Sequence, residues 1–534
     1  MRPDSHGPHR SRVLAMAADL SAAVLVLLGT IVVFQGPIHF SFAGLRIWLR
    51  SPWPLGLAAG LLLALRHWRV LYRLWSSQAL APDPPPSPPS RRFLAGALLL
   101  MTLLTAAGTY PQILRMRDGV DDVGDPLLNT WALSWVAHQV RIAPAHLFDG
   151  NIFYPERRTL AFSDILLVPA LTVAPLIWAG IGPILAYNIL FLSAIILSGF
   201  GVALLVHELT GAPGAAIVAG IIFAVLPFRM DHYAHLQLQQ TQWIPLTMWA
   251  LHRVMRSGRL VDGMKVGTFA ACQILSSTYF GVFLVPYVAV VAFVLLAADV
   301  RVVGVEEGVL LACDRGFMRR RLLALAAAGA VCLFLVAPAG RAYLAARKVV
   351  GERSVGEVAS GSATFGNYLA APENNVMYGR WSQKYGSVER RLFPGLVAVG
   401  LAVVALWPPL SKVRLAYGCA LLFAVDMSLG FNGLSYRWLW DHVLPFRGLR
   451  IPARMGLMVG FTLAVLAGCG VARLSAGVRS KPGRWAVALT ASLLILAECR
   501  SVPLRLSTIP EAPPSIYADL LRDRGDAPTA ALVE

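Results

Sequence analysis

Apolar residues recur along this chain in blocks, divided by short basic or proline-rich breaks. The blocks fall near 13–34, 52–69, 93–112, 184–206, 213–228, 241–255, 262–277, 280–298, 322–341, 393–408, 414–430, 452–472 and 485–499. Many have the roughly 17–25 residues that a helix needs to cross a bilayer. The shorter ones need to stand nearly upright or lie where the bilayer is thinned. The alternation of a barrel strand is absent, and lipid offers backbone groups no water, so helices are the natural spanning element. The pattern therefore predicts an all-α, polytopic membrane protein of about thirteen transmembrane helices. Interfacial helices are expected in its first large outer loop, and the start of a small extracytoplasmic segment at its C-terminal end.

The breaks divide the chain further. Residues 1–80 read as an N-terminal helix pair, 81–92 as a stiff Pro-rich cytoplasmic linker, 93–500 as the main transmembrane domain and 501–534 as an extracytoplasmic tail. In that tail, 515–524 reads as a short amphipathic helix and 530–534 as the start of a strand. The first apolar block follows Arg2, Arg10 and Arg12, the charge order of a signal peptide. It is too long for one and lacks a small-residue cleavage site, so it reads as a retained helix.

Segment 164–182 is apolar but broken by Pro169 and Pro175. If it spans, the loops holding Arg253, Arg256, Arg259, Lys265, Arg301, Arg315, Arg319, Lys412, Arg414, Arg473 and Lys481 face outside, against the positive-inside rule. If it lies along the interface or dips in and out, those loops become cytoplasmic together with Arg66, Arg69, Arg73, Arg91 and Arg92. The second arrangement is the better physics. It gathers 113–183, 229–240, 342–392, 431–451 and the tail on the outer face, where a polar site can be built from loops.

Composition agrees with the membrane reading. The chain is 57% hydrophobic and 14% charged, with a mean hydropathy of +0.61. Its net charge of +18 raises the question of nucleic acid, but the basic residues are spread through short loops, where they set topology. Nucleic acid is not an expected partner; a lipid bilayer is. The six cysteines, Cys272, Cys313, Cys332, Cys419, Cys469 and Cys499, form no CxxC pair. They read as free, mostly buried thiols.

Against this basic background, Asp118, Asp121, Asp122 and Asp125 stand within eight positions. Asp125 and Pro126 make a good helix start, so Asp125 can be explained as an N-cap. Trp131, Trp135 and His138 then share one face, as an interfacial aromatic face does. Capping leaves Asp121 and Asp122 unexplained. Adjacent carboxylates on a loop can hold a divalent cation, act as a general base, or simply be solvated. His232 and His235, beside Asp231, are open to three readings: metal ligands, contacts to substrate, or interfacial packing. Gln239 is a further substrate-contact candidate in the same loop. Arg447, Arg450 and Arg454 enter an apolar helix from the side opposite the basic loops. Arg450 and Arg454 suit bidentate phosphate contacts; the competing reading is snorkelling to lipid headgroups. Glu389 and its neighbours Arg390 and Arg391 form a similar polar threshold. Tyr279 either lines a cavity or is an interface tyrosine.

Gly124 to Trp131, Asn151 to Glu156, Ala186 to Asn188, His232 to Leu238, Gln242 to Leu246 and Leu449 to Arg454 resemble stretches of a group of bacterial multi-pass membrane proteins. The arrangement as a whole is similar to the GT-C superfamily of integral-membrane glycosyltransferases, over about residues 95–475. That resemblance implies a polyprenyl-phosphate sugar donor, a glycan, lipid or protein acceptor, an inverting mechanism and a place in the bacterial plasma membrane with a cytoplasmic N-terminus. It also implies that Asp125 or Asp122 is the catalytic base or ligates a divalent cation (Mg or Mn). Asp121, His232, His235, Gln239, Glu389, Arg450 and Arg454 would then meet the substrate. The acidic motif is Gly-Asp here, not the Asp-Glu of protein mannosyltransferases. Two other functions fit the same spans: a transporter or lipid flippase of the cell envelope, and a non-catalytic scaffold that keeps the fold. Transporters usually place ionisable groups at mid-membrane on broken helices, whereas here they cluster at one face.

Overall fold

The computed structural model describes residues 7–35, 38–42, 45–49, 53–66, 88–305, 308–502 and 504–510, with Ser515, Asp519 and Arg522 beyond them. The expected strand at 530–534, the linker from 81 to 87 and most of the expected helix at 515–524 lie outside the described residues.

A helix stands on each of the apolar blocks. The N-terminal pair is α1 (Gly7–Gln35) and α2 (Trp53–Arg66), packed together on either side of an antiparallel hairpin, β1 (Ile38–Phe42) and β2 (Leu45–Leu49). The main body continues with α3 (Arg91–Gly108), whose N-terminus is capped by the Ser90 hydroxyl accepting from Phe93 N at 3.1 Å. Then follow the short strand β3 (Gly119–Val120), α4 (Asp125–Ile142), α5 (Leu167–Trp178), α6 (Pro183–Thr210) and α7 (Pro213–Ala224). Next come α8 (Trp243–Ser257), α9 (Leu260–Ser276), α10 (Thr278–Ala297), the hairpin β4 (Arg301–Val305) and β5 (Gly308–Ala312), and α11 (Arg315–Val350). Then follow α12 (Leu396–Leu406), α13 (Lys412–Ser428), α14 (Gly456–Ala476), α15 (Lys481–Glu498) and the short strand β6 (Ser507–Thr508).

Among the described residues, six segments are long and apolar enough to cross a membrane: Arg91–Gly108, Pro183–Thr210, Pro213–Asp231, Thr278–Ala297, Arg315–Val350 and Pro452–Ala476. The protein is a multi-pass helical membrane protein. Two details depart from the block pattern. Helix α11 has 36 residues, about 54 Å at 1.5 Å per residue, so it outruns the apolar block 322–341 and rises beyond any bilayer core. Helix α5, on the proline-broken segment, has 12 residues and at about 18 Å cannot cross one; it lies against α4 and α6.

The core is organised around α14, which is buried over almost its whole length and touches α6, α7, α12, α13 and α15. Small residues set the closest approach, as in other membrane bundles. On α9, Gly263 and Gly267 are four residues apart and face α11; a Cβ on Gly263 would stand 2.0 Å from the Ala324 carbonyl oxygen, and one on Gly267 2.3 Å from that of Ala328. Of the cysteines, Cys469 and Cys499 are buried, Cys272, Cys332 and Cys419 are partly exposed and Cys313 is exposed, so burial is less general than expected.

Loops at one end of the bundle are tied to one another. The tail returns to the acidic loop: β6 pairs antiparallel with β3, Ile509 N donates to Asp118 O at 2.7 Å, and Val502 N donates to Asn374 O at 3.0 Å. The buried Glu498 accepts from Leu396 N at 2.7 Å and Val397 N at 3.0 Å, satisfying two free donors at the N-terminus of α12 with an anion that its dipole favours.

Candidate functional site

Asp122 shapes the acidic loop. Its Oδ1 accepts from Gly124 N at 2.7 Å, a turn that aspartate side chains favour. The α4 start is then capped by backbone: Gly124 O accepts from Leu127 N at 3.0 Å and Leu128 N at 3.2 Å, and no side chain caps the helix. Asp125 is therefore not the cap that the Asp-Pro pair suggested. Its carboxylate turns outward and meets His235, with Oδ2 3.2 Å from Nε2 and the Asp125 side chain 45% exposed. Burial, together with the charges of Arg454 and His232, holds the His235 imidazole below its ordinary range, against the pull of Asp125 and Glu389. Ring nitrogen Nε2 and the Asp125 carboxylate thus stand in close electrostatic contact. The other nitrogen, Nδ1, is buried without a hydrogen-bond partner among the described residues.

The loop carrying the two histidines is fixed from below. Arg229 is fully buried, donates to Phe223 O at 2.8 Å and Thr241 Oγ1 at 2.6 Å, and lies over the Phe223 ring. Gln239 is also fully buried, and its Nε2 donates to Arg229 O and His232 O, both at 3.0 Å. Gln239 thus staples the loop to itself; it was expected at the substrate and does not face it. Its amide satisfies backbone carbonyls that burial would otherwise leave unpaired.

His232 lies stacked on Phe228, 4.1 Å between centroids. Its Nδ1 is 3.0 Å from Phe228 O and its Nε2 is 3.1 Å from Glu389 Oε2. Arg454 meets the same carboxylate with two contacts, Nη2 to Oε1 at 2.7 Å and Nε to Oε2 at 3.2 Å. The guanidinium lies over the Tyr279 ring at 4.6 Å, and the Tyr279 hydroxyl accepts from Arg450 N at 3.1 Å. Burial raises the Glu389 carboxyl, but the hydrogen bonds and charges of His232 and Arg454 outweigh it and hold the group well below the usual carboxylate range.

The arginine segment is placed by a bare backbone contact. A Cβ on Gly361 would lie 2.3 Å from Arg450 O, and Ala453 N donates to Gly361 O at 3.1 Å. Arg454 is turned inward and buried, whereas Arg450 is exposed, its guanidinium free of hydrogen bonds among the described residues and within electrostatic reach of Glu357. The two arginines therefore do not act as the equivalent pair expected.

Two further groups join. Asp164 Oδ1 accepts from Thr278 N at 2.8 Å; burial raises its carboxyl while Thr278 and the Arg454 charge pull it down. Tyr343 on α11 fixes this segment, donating to Ser163 O at 2.8 Å and accepting from Ile165 N at 3.3 Å. Asp231 pairs with Arg391, Oδ1 to Nη1 at 2.9 Å. Arg391 was expected only as part of the polar threshold beside Glu389, and Asp164 was not expected at the site. Carboxylates and cationic groups from 121–125, 164, 231–235, 389–391 and 454 thus alternate over one patch at one end of the helices.

Asp121 is half-buried beside Asp122, and burial and that neighbouring charge push its carboxyl up to about 6. A folded-state value above the unfolded one means that stability falls as pH rises through about 6. Asp121→Asn is expected to gain of order 1 kcal/mol at pH 8, after discounting for the solvent-facing part of the group. The gain should vanish by pH 4. Melting midpoints at the two pH values check it; an equal shift at both would show that charge is not the cause.

Among the described residues no group of three or more His, Cys, Asp or Glu converges on one point; Asp125 is engaged by His235 and Asp122 by Gly124 N. No step below is routed through a cation. An open cavity of about 650 Å³ lies elsewhere at this end, lined by His146, Asp149, Glu156, Arg157 and Arg158 of the first loop and by Ala345 and Val349 of α11.

The helices and the charged patch at their end define the class: a multi-pass membrane protein with a polar site built from loops. No protein-family model matches the chain, and no curated protein is detectably similar to it.

Proposed function

We propose that the protein is a membrane glycosyltransferase of GT-C type. In this reading it moves a sugar from a polyprenyl-phosphate-linked donor to an extracytoplasmic glycan, lipid or protein acceptor, with inversion. One observation carries the reading: a solvent-reachable carboxylate, Asp125 on His235, stands in the same patch as a bidentate guanidinium, Arg454. Transfer of this kind needs both, a base for the acceptor and positive charge for the departing phosphate.

The steps follow from the residues. His235 stands against Oδ2 of Asp125, and Oδ1 takes the proton of the acceptor hydroxyl. The acceptor oxygen bonds to the anomeric carbon from the face opposite the phosphate. The bond from that carbon to the phosphate oxygen breaks, and its electron pair stays on the phosphate, which Arg454 neutralises. Asp125 later returns the proton to water. A phosphate leaves without protonation, so no second carboxylic acid is required. The about thirteen-span topology belongs to the same proposal. The basic loops with Arg253, Arg256, Lys265 and Lys412 stand at the opposite end from the site, which supports an extracytoplasmic active face.

The test is turnover. Purified protein is incubated with labelled polyprenyl-phosphate sugars and candidate acceptors, with and without EDTA. Release of polyprenyl phosphate coupled to acceptor labelling is the expected result, and loss in EDTA alone would add a divalent cation. Movement of the lipid across liposomes without bond cleavage would instead favour the transporter reading.

A further inference from the structure

We propose that Glu389 is a built-in stand-in for the phosphate of the ligand, and that a phosphate-bearing lipid binds by displacing it from Arg454 and His232. This rests on the lipid-phosphate reading above and names the event that opens that site.

Three N–H donors converge on the Glu389 carboxylate: Arg454 Nη2 at 2.7 Å, Arg454 Nε at 3.2 Å and His232 Nε2 at 3.1 Å. A planar fork with a third donor beside it fits two oxygens of a phosphate as well as it fits a carboxylate. The donors are the fixed partners. His232 is stacked on Phe228 and tied to its carbonyl, and Arg454 lies on the face of Tyr279. Their side chains are 0% and 5% exposed, whereas that of Glu389 is 31% exposed. The anion is therefore the partner that faces solvent. It also has the lighter tether: the turn Val388–Arg390 is closed by one bond, Arg390 N to Ser387 O at 2.8 Å. The anchors, Leu392 N to Asn367 O and Arg391 to Asp231, lie beyond it.

Exchange of one anion for another has a physical advantage. A buried guanidinium and a buried imidazole without a partner are costly, and the resident carboxylate keeps them paired until a ligand arrives. A phosphate carries more charge and more acceptor oxygens than a carboxylate, so it can take the fork. A neutral lipid alcohol cannot.

The test uses the full chain in detergent, with farnesyl phosphate as probe and farnesol as neutral control. Wild type should bind farnesyl phosphate in preference to farnesol. Glu389→Gln keeps an acceptor for Arg454 but loses the charge, and should tighten farnesyl phosphate about tenfold while leaving farnesol unchanged. Amide exchange over 386–391 in the wild type should rise when farnesyl phosphate binds, and this measurement decides the matter if the variant does not fold. Binding by wild type with no tightening in a folded Glu389→Gln, or with no rise in exchange, overturns the displacement of Glu389 and leaves the transferase reading standing. No preference for farnesyl phosphate over farnesol in either protein overturns both.

Discussion

If the protein is the proposed transferase, Asp125→Asn is expected to lower sugar transfer to about 1% of the wild-type rate or less, while leaving the fold and lipid-phosphate binding intact. The expected loss is at least 100-fold, within the ~10²–10⁴ that a positioned general base contributes. The variant is chosen for what it preserves. An asparagine side chain has the same shape, and its amide can still face His235 Nε2, now 3.2 Å from the carboxylate. The helix start does not depend on the side chain either, because Gly124 O supplies the cap. What the amide cannot do is take a proton from the acceptor. Rates of polyprenyl-phosphate release, with farnesyl phosphate affinity measured alongside, check the expectation. Equal turnover by both proteins would remove Asp125 from the mechanism and leave Asp164, which the Thr278 backbone already holds beside Arg454, as the next carboxylate to replace.

Most of the helices were legible in sequence because they stand on apolar blocks, and lipid leaves the backbone few other forms. Where the block and the helix part company, the cause is that helical hydrogen bonds do not need apolar side chains. Helix α11 therefore runs on through Arg341, Arg347 and Lys348 to Val350. The site was legible in part. Asp125, His235, Glu389 and Arg454 stand out as charged or titratable groups at the margins of apolar runs, and the structure brings them into one patch. Their pairing is not written in any periodicity, since His232 meets Glu389 from 157 positions away. Asp164 escaped notice because it opens a proline-broken apolar segment that bears first on topology. Tyr279 has a sufficient explanation as an interface tyrosine, and only the coordinates place its ring beneath Arg454. Gln239 reads in sequence as a polar loop residue; its burial follows from the demand of Arg229 and His232 carbonyls for a donor.

Arg454→Ala is expected to cost both stability and ligand binding. Removing one partner of a buried pair costs about 3–5 kcal/mol, because the other charge is left behind. Glu389 is 31% exposed and keeps His232, so about 2–3 kcal/mol is the better figure here. Part of the loss is packing, since the guanidinium covers Tyr279 at 4.6 Å. Arg454→Lys keeps the charge but not the fork, and should recover some stability while binding farnesyl phosphate more weakly than wild type. A double-mutant cycle separates the terms. If the Arg454–Glu389 pair is coupled as its 2.7 Å and 3.2 Å contacts indicate, Arg454→Ala combined with Glu389→Ala is less destabilised than the two single variants summed, by about 1–3 kcal/mol. Denaturation midpoints of the four proteins measure that difference. Strict additivity would mean that the contact contributes nothing to the folded state, and would take from Arg454 the paired, fixed geometry on which its role toward a phosphate depends.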